Sequence, residues 1–140
     1  MANRWFNQFS KTLAKEVCKI YGEVTFAAAG APTLVSANGV SQGILSITRT
    51  GAGAYTIVMG TNSNGVGVKD SYPYFLNISH VFLNATAPAS PVMYVVSQTV
   101  NSPATAAINV QFESLAGAAT DPGNGEAVYL EITLRNSTSI

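Results

Sequence analysis

The chain contains one histidine, His80, and one cysteine, Cys18, and few other side chains offer comparable chemistry. Because the chain has a single histidine, a metal site with two histidine ligands from one chain is impossible. A catalytic triad would have to be built around His80. His80 alternates with Leu76, Ile78 and Phe82, which predicts a half-buried structural position on a strand. A lone thiol is more typical of a small buried hydrophobe than of a reactive group. We therefore predict no metal site and no nucleophile.

Paired carboxylates for acid–base catalysis also find little support. The acidic residues are Glu16, Glu23, Asp70, Glu113, Asp121, Glu126 and Glu131. Only Glu126 and Glu131 share a predicted element, and at a spacing of five on a strand they point to opposite faces. The glycine-rich segments 51–53 and 65–67 lack the helix start and the lysine of a phosphate-binding loop. We expect a protein that is not an enzyme and uses no cofactor.

The composition favours contact with other proteins. Of the 140 residues, 47% are hydrophobic and 10% are charged, with a formal net charge of zero, whereas about 25% of an ordinary soluble domain is charged. Either uncharged polar residues face water or neighbouring subunits cover the surface, and we favour subunit contacts. The sequence has no long basic run and no apolar stretch of about 18 residues, which predicts neither a nucleic-acid nor a membrane partner. The N-terminus lacks the apolar centre of a signal peptide, which predicts assembly in a cytoplasm.

The segment 1–16 is predicted to be an amphipathic N-terminal arm. Its aromatic side chains gather on one side of a helical wheel, and its basic side chains lie on the other. The arm could fold onto this protein's own core or dock to a partner, and a membrane-surface helix is a less favoured alternative. Trp and Arg are enriched at binding hot spots. The predicted partner-binding residues, for a partner protein or a neighbouring subunit, are Arg4, Trp5, Phe6, Phe9 and Lys11.

From residue 17 onward the sequence is typical of β-structure. Short runs rich in Val, Ile, Thr, Tyr and Phe alternate with clusters of Gly, Pro, Asn and Ser. The predicted strands are 17–27, 43–49, 54–59, 74–84, 92–99, 106–113 and 127–136. Segment 43–59 is a predicted hairpin, because residues 50–53 tolerate a positive φ between two β-branched runs. Segment 121–125 is one of several turns expected to interrupt any strand.

Strands at this spacing, with no helical stretch between them, predict an all-β fold. Period-two alternation is clear in the last strand, where Val128, Leu130 and Ile132 oppose Tyr129 and Glu131. We expect an antiparallel β-sandwich or jelly roll that forms a single domain over residues 17–140, preceded by the arm. The tyrosines are spread over several elements, and core or interface packing explains them better than a stacking platform.

Both ends of the chain resemble small structural proteins of tailed bacteriophages. The residues that carry the resemblance are Arg4-Trp5, Gln8-Phe9 and Lys11 at the start, and Thr120-Asp121-Pro122, Gly125-Glu126, Val128, Leu130, Ile132 and Leu134-Arg135-Asn136-Ser137 at the end. The family in question is the jelly-roll cement, or decoration, proteins on the heads of short-tailed phages, such as the one that infects Bordetella.

This resemblance implies a function without chemistry. A cement protein of that family is a β-sandwich that binds the major capsid protein on the outside of an icosahedral shell and ties its subunits together. It also implies a homo-oligomer, a dimer or a trimer, within the virion. A phage tail or fibre component and a glycan-binding β-sandwich module are the alternatives, because sandwiches bind glycans through loops that a sequence does not expose.

Overall fold

The computed structural model describes residues 17–35, 41, 43–59, 74–83, 92–98 and 106–135. The predicted arm 1–16 lies outside the described residues. The division of the chain into an arm and a single domain over 17–140 therefore stays a prediction.

The described part of the chain is folded as β-strands. They are β1 (Val17–Ala27), β2 (Thr33–Val35), β3 (Ile44–Gly51), β4 (Ala54–Met59), β5 (Tyr74–Phe82), β6 (Val92–Gln98), β7 (Ala106–Glu113) and β8 (Asn124–Arg135). Each strand predicted from the sequence is present, with small shifts at its ends.

The strands form two four-stranded sheets that pack face to face. Sheet A has the order β2-β1-β8-β5, sheet B has the order β3-β4-β7-β6, and every strand pair is antiparallel. At one side β1 and β2 lie over β3, and at the other side β5 approaches β6. The predicted all-β antiparallel sandwich is confirmed, while the finer prediction of a jelly-roll winding stays a prediction.

Alternation along each strand places the core between the sheets. In β8 the inward side chains are fully buried and the outward ones are partly exposed, as the period-two pattern predicts. The largest fully buried side chains of the two sheets are Val24, Phe26, Tyr55, Ile57, Ile108, Val110, Phe112, Val128, Leu130, Ile132 and Leu134. Burial of each such side chain stabilises the fold by about 1.5–3 kcal/mol before entropy is subtracted.

Three aromatic rings lock the two sheets together at one end of the core. The ring centroid of Phe26 in sheet A lies 5.1 Å from that of Tyr55 and 5.4 Å from that of Phe112, both in sheet B. The centroids of Tyr55 and Phe112 are 5.6 Å apart. All three pairs are edge-to-face, with interplanar angles of 82°, 72° and 89°. Such pairs contribute about 0.5–1.5 kcal/mol each beyond their area.

The predicted hairpin over 43–59 is confirmed as β3 and β4. Gly51 pairs with Ala54, so Ala52 and Gly53 form the turn. Gly53 has a φ of 65°, and a Cβ there would lie 2.4 Å from the carbonyl oxygen of Phe112. Only glycine fits both the backbone angle and the space.

Two details differ from the sequence-based predictions. Strand β2 was not predicted, because its three residues, Thr33–Val35, are too short to show alternation. The prediction that segment 121–125 interrupts any strand was wrong for its last two residues, since β8 begins at Asn124. Gly125 continues the strand with a φ of 80°, and Asn124 pairs with Ala27 beyond a register shift. A β-bulge thus allows the turn-forming residues Asn124 and Gly125 to lie within a paired strand.

Candidate functional site

The predicted partner-binding residues Arg4, Trp5, Phe6, Phe9 and Lys11 lie outside the described residues. Their role therefore stays a prediction.

His80 lies on β5 with its side chain directed into the sandwich, where it is half-buried. Its ring makes edge-to-face contacts with Phe82 at 5.7 Å and with Phe112 at 6.3 Å. The half-buried position expected from the alternation is confirmed. In the described ranges no group of three or more His, Cys, Asp or Glu side chains is placed to hold a metal ion.

The densest polar cluster of the described residues surrounds Asp121, just before β8. Its Oδ1 accepts hydrogen bonds from Arg49 Nε at 2.9 Å, from the Gly53 amide at 3.0 Å and from the Tyr55 hydroxyl at 2.8 Å. Its Oδ2 accepts one from Arg49 Nη2 at 2.8 Å. The carboxylate thus joins the β3–β4 hairpin to the segment between β7 and β8.

The protonation equilibria of this cluster indicate a structural role. The Arg49 guanidinium, with the Tyr55 hydroxyl and the Gly53 amide, lowers the pKa of Asp121 to about 2. Burial and the hydrogen bond to Asp121 raise the pKa of Tyr55. Asp121 is therefore ionised and a weak base, and Tyr55 is a weak acid, so the pair is poorly matched to proton transfer near neutral pH.

The two outer faces of the sandwich differ in charge. On sheet A, Lys19 of β1 forms an ion pair with Glu131 of β8 at 2.8 Å, and Glu23 of β1 also points outward. Between these charges the rings of Tyr21 and Tyr129 stack with their centroids 6.2 Å apart. Sheet A thus has the mixed polar coat of an ordinary solvent-facing surface.

The outer face of sheet B has almost no charge. Its outward side chains on β3, β4, β6 and β7, which we call the uncharged face, are Leu45, Ser46, Thr48, Thr50, Ala54, Thr56, Val58, Val92, Tyr94, Val96, Ser97, Ala107, Asn109 and Gln111. Glu113, at the end of β7 opposite Val92, is the one charged side chain on this face among the described residues, and it accepts a 2.7 Å hydrogen bond from Tyr94. The remaining charge of sheet B, Arg49, is turned toward Asp121.

Apolar exposure is concentrated at the side of the sandwich where β5 and β6 meet. Val92, Tyr94 and Val96 of β6 are exposed, Val96 by 61%, and Val81 of β5 is exposed by 58%. Neither edge strand contains Asp, Glu, Lys or Arg. Natural sheets protect edges with charges, proline or β-bulges. Both strands contain a register shift, but neither has the charges that discourage pairing with other chains.

A shallow groove of about 360 Å³ crosses the uncharged face between β4, β7 and β6. On its floor the Thr56 hydroxyl donates to Asn109 Oδ1 at 2.6 Å, and Asn109 Nδ2 donates to Ser97 Oγ at 2.8 Å. Gln111 and Val96 also line it. The groove combines amides, hydroxyls and one exposed valine without a formal charge.

The fold and this surface define an antiparallel β-sandwich with one charged and one uncharged outer face. Comparison with protein-family models, with curated proteins and with solved structures finds no match to this chain. Throughout the part of the chain that the structure describes, no helix has the length and apolar character needed to cross a membrane.

Sequence reasoning missed the Asp121 cluster and the difference between the two faces. Asp121 and Arg49 are separated by 72 positions in the chain, and no local pattern links a turn aspartate to a strand arginine. The uncharged face did leave a signal, because β4 and β6 contain no charged residue.

Proposed function

We propose that this chain is a non-enzymatic structural protein that binds neighbouring protein subunits through its uncharged face. The observation that carries the proposal is the contrast between the two outer faces of one sandwich. Depletion of charge and enrichment in aromatic residues characterise the core of protein interfaces. The uncharged face shares the depletion of charge and has Tyr94 beside exposed valines at the β6 edge, whereas the outer face of sheet A has ion-paired residues around the Tyr21–Tyr129 pair.

The assembly we propose is the capsid of a tailed bacteriophage, with the protein on its exterior as a cement or decoration protein. The resemblance at the chain ends supports this choice. The partners would be the major capsid protein and other copies of this chain in a dimer or a trimer. An oligomer that contacts several shell subunits stabilises the shell by mass action and gains avidity from each added contact.

The copy number of this polypeptide in purified particles of its source virus tests the assembly. Quantitative mass spectrometry against the major shell subunit should give a number comparable with that subunit. A handful of copies per particle would instead favour a tail or fibre component. Complete absence from particles would refute the virion assignment.

A charge placed on the uncharged face tests the surface itself. Val96→Lys should weaken binding to shells that lack this protein by at least about tenfold, because an interface core must then desolvate an ammonium group. Thr25→Lys adds the same charge to the outward side of β1 on sheet A and should bind like the wild type. Equal binding by all three proteins would place the contact elsewhere.

The groove favours one further function, recognition of a neutral glycan. Its amides and hydroxyls, from Thr56, Ser97, Asn109 and Gln111, can exchange hydrogen bonds with sugar hydroxyls, and Tyr94 stands at the same β6 edge. A glycan array probed with the isolated protein tests this function. Glycan binding that Asn109→Ala abolishes would support this function. An array without signal would rule out glycan recognition.

A further inference from the structure

The core of the sandwich is open on the side where the edge strands β5 and β6 meet. Four apolar side chains of these strands point inward and pack against the core, yet each is only partly buried. They line an opening that we call the β5–β6 seam, and they are Ile78, Phe82, Met93 and Val95. An edge position alone does not cause this exposure, because the inward Ile44 and Ile47 of the edge strand β3 are buried.

The seam has the character of an incomplete core rather than of a solvent-facing surface. Its side chains lie next to fully buried partners on β8 and β7, such as Ile132 beside Ile78 and Phe112 beside Met93. The strands β5 and β6 contain no Asp, Glu, Lys or Arg. Covering such apolar side chains removes them from water and stabilises the fold, and a helix laid over strand edges is one way in which sheets are protected.

Segment 1–16 has the composition that best fits the seam. The only Trp and Phe residues outside the described ranges lie there, and they are Trp5, Phe6 and Phe9. Segment 84–91, which connects β5 to β6, has no apolar residue larger than proline, and segment 99–105 has a single valine. Segment 60–73 has two valines and a tyrosine, but it also has two charged residues.

The arm begins at the correct end of sheet A to reach the seam. Val17 and Tyr74 both pair with Arg135, so β1 and β5 start at the same end of the sheet. Ile78 is level with Ile20 through Ile132. It therefore lies about 10 Å along the strands and about 10 Å across them from Val17, or about 14 Å in all.

The length of the arm also fits. The eight residues from Phe9 to Val17 span about 12 Å as a helix and about 26 Å when extended, so partial extension brings Phe9 to Ile78. On the predicted helix the apolar side runs from Trp5 to Leu13, about 12 Å, and Ile78 to Phe82 is about 13 Å along β5. The basic side chains of the arm would then face water.

We propose that segment 1–16 docks into the β5–β6 seam of its own sandwich, with Trp5 and Phe9 packed against the side chains that line it. This is the first of the two alternatives that the sequence leaves open for the arm, and it goes beyond the proposed function, which concerns the uncharged face. A covalent connection within reach gives the arm a millimolar effective concentration at the seam. A shell subunit or a second copy would have to bind there from solution, in competition with the arm.

The single tryptophan of the chain makes docking measurable in the full-length protein without any shell. The emission of Trp5 should be blue-shifted, and its quenching by acrylamide weaker, than in the protein unfolded in urea. Ile78→Ala, which removes a side chain that lines the seam, should move both values toward those of the unfolded chain. Val81→Ala changes an outward side chain of the same strand, 58% exposed, and should leave both values as in the wild type.

Crosslinking identifies the surface that the arm contacts, even if Ile78→Ala fails to fold. In a Cys18→Ser background, Phe9→Cys combined with Ile78→Cys should be joined within one chain by a bifunctional maleimide. The reagent should span about 10 Å, the usual distance between packed layers. Lys11→Cys, on the opposite side of the predicted helix, should be joined to Ile78→Cys much less.

The outcomes decide between the arm and other occupants. A crosslink within one chain, with an emission of Trp5 that depends on Ile78, supports the proposal. A crosslink between two chains would show that copies exchange their arms, and emission and quenching as in urea would show an undocked arm. Either result refutes the proposal, and so does protection of Trp5 that is insensitive to Ile78→Ala and yields no crosslink. Binding to shells tests the proposed function separately, so each can fail alone.

Discussion

The Arg49 guanidinium and the Asp121 carboxylate form a bidentate ion pair, with Nε–Oδ1 and Nη2–Oδ2 distances of 2.9 and 2.8 Å. Paired geometry of this kind is stronger and more directional than a single contact. The Arg49 and Asp121 side chains are 26% and 15% exposed, so solvent screens the pair less than it screens a surface ion pair. The pair fixes the segment before β8 against the β3–β4 hairpin.

Removal of this carboxylate should destabilise the protein. Asp121→Asn retains the shape but leaves the partly buried Arg49 charge without its counter-ion, and we expect a loss of about 2–3 kcal/mol in the free energy of unfolding. Urea denaturation at pH 7 measures it. Glu131→Gln, which removes a carboxylate from the exposed pair with Lys19, should cost less than about 1 kcal/mol. Equal losses in the two variants would contradict a special role for Asp121.

Acid should weaken the wild type more than Asp121→Asn. The folded state lowers the pKa of Asp121 from 3.8 to about 2, so the unfolded state binds the proton more tightly. The stabilisation is complete above about pH 4 and is lost as the pH falls toward 2, and it amounts to about 2 kcal/mol. Denaturation at pH 5 and at pH 2 should therefore show the wild type approaching the variant at the lower pH. If the difference in unfolding free energy between the wild type and Asp121→Asn were the same at both pH values, the low pKa of Asp121 would be refuted.

The strands could be predicted from the sequence, whereas the Asp121 cluster could not. Alternation and turn residues are local signals, and they located β1 and β3 to β8 with small errors at the ends. The contact between Arg49 and Asp121 depends on which strands become neighbours, and period-two patterns do not encode that order. Asp121 was recognised as a turn residue, but the contact of its carboxylate with the predicted β3–β4 hairpin was not foreseen.

The contribution of the Tyr55 hydroxyl can be separated from that of its ring. Tyr55→Phe removes the 2.8 Å hydrogen bond to Asp121 and keeps the ring contacts, so we expect a loss of about 1.5–2 kcal/mol. Tyr55→Leu also removes the edge-to-face contacts with Phe26 and Phe112 and should cost about 3–4 kcal/mol. Thermal and urea denaturation measure both losses. If the two variants were equally stable, the aromatic cluster would contribute nothing beyond burial.

The candidate binding surface was predicted only in part. The low fraction of charged residues indicated that partners cover much of the surface, but composition cannot say on which face. That requires the sheet order, which places β6 at an edge and β4 and β7 in the middle of sheet B. The residues predicted for partner binding, Arg4, Trp5, Phe6, Phe9 and Lys11, rest on helical periodicity and on the enrichment of Trp and Arg at hot spots, and their role stays a prediction.

The turn glycine Gly53 should be indispensable for the contact between the β3–β4 hairpin and segment 112–121. Gly53→Ala forces an L side chain into a φ of 65° and places its Cβ 2.4 Å from the Phe112 carbonyl oxygen, so backbone must move. We expect a loss of at least about 3 kcal/mol in the free energy of unfolding, which urea denaturation at pH 7 measures.

Gly117→Ala is the matched control for Gly53→Ala. Its φ of 76° is similarly left-handed, but nothing lies within 4 Å of the added Cβ, so it should cost only about 1–2 kcal/mol. The difference between the two variants isolates the steric contact with Phe112 from the cost of the backbone angle. Equal losses would mean that the Phe112 carbonyl moves freely. The β3–β4 hairpin would then not hold segment 112–121 rigidly.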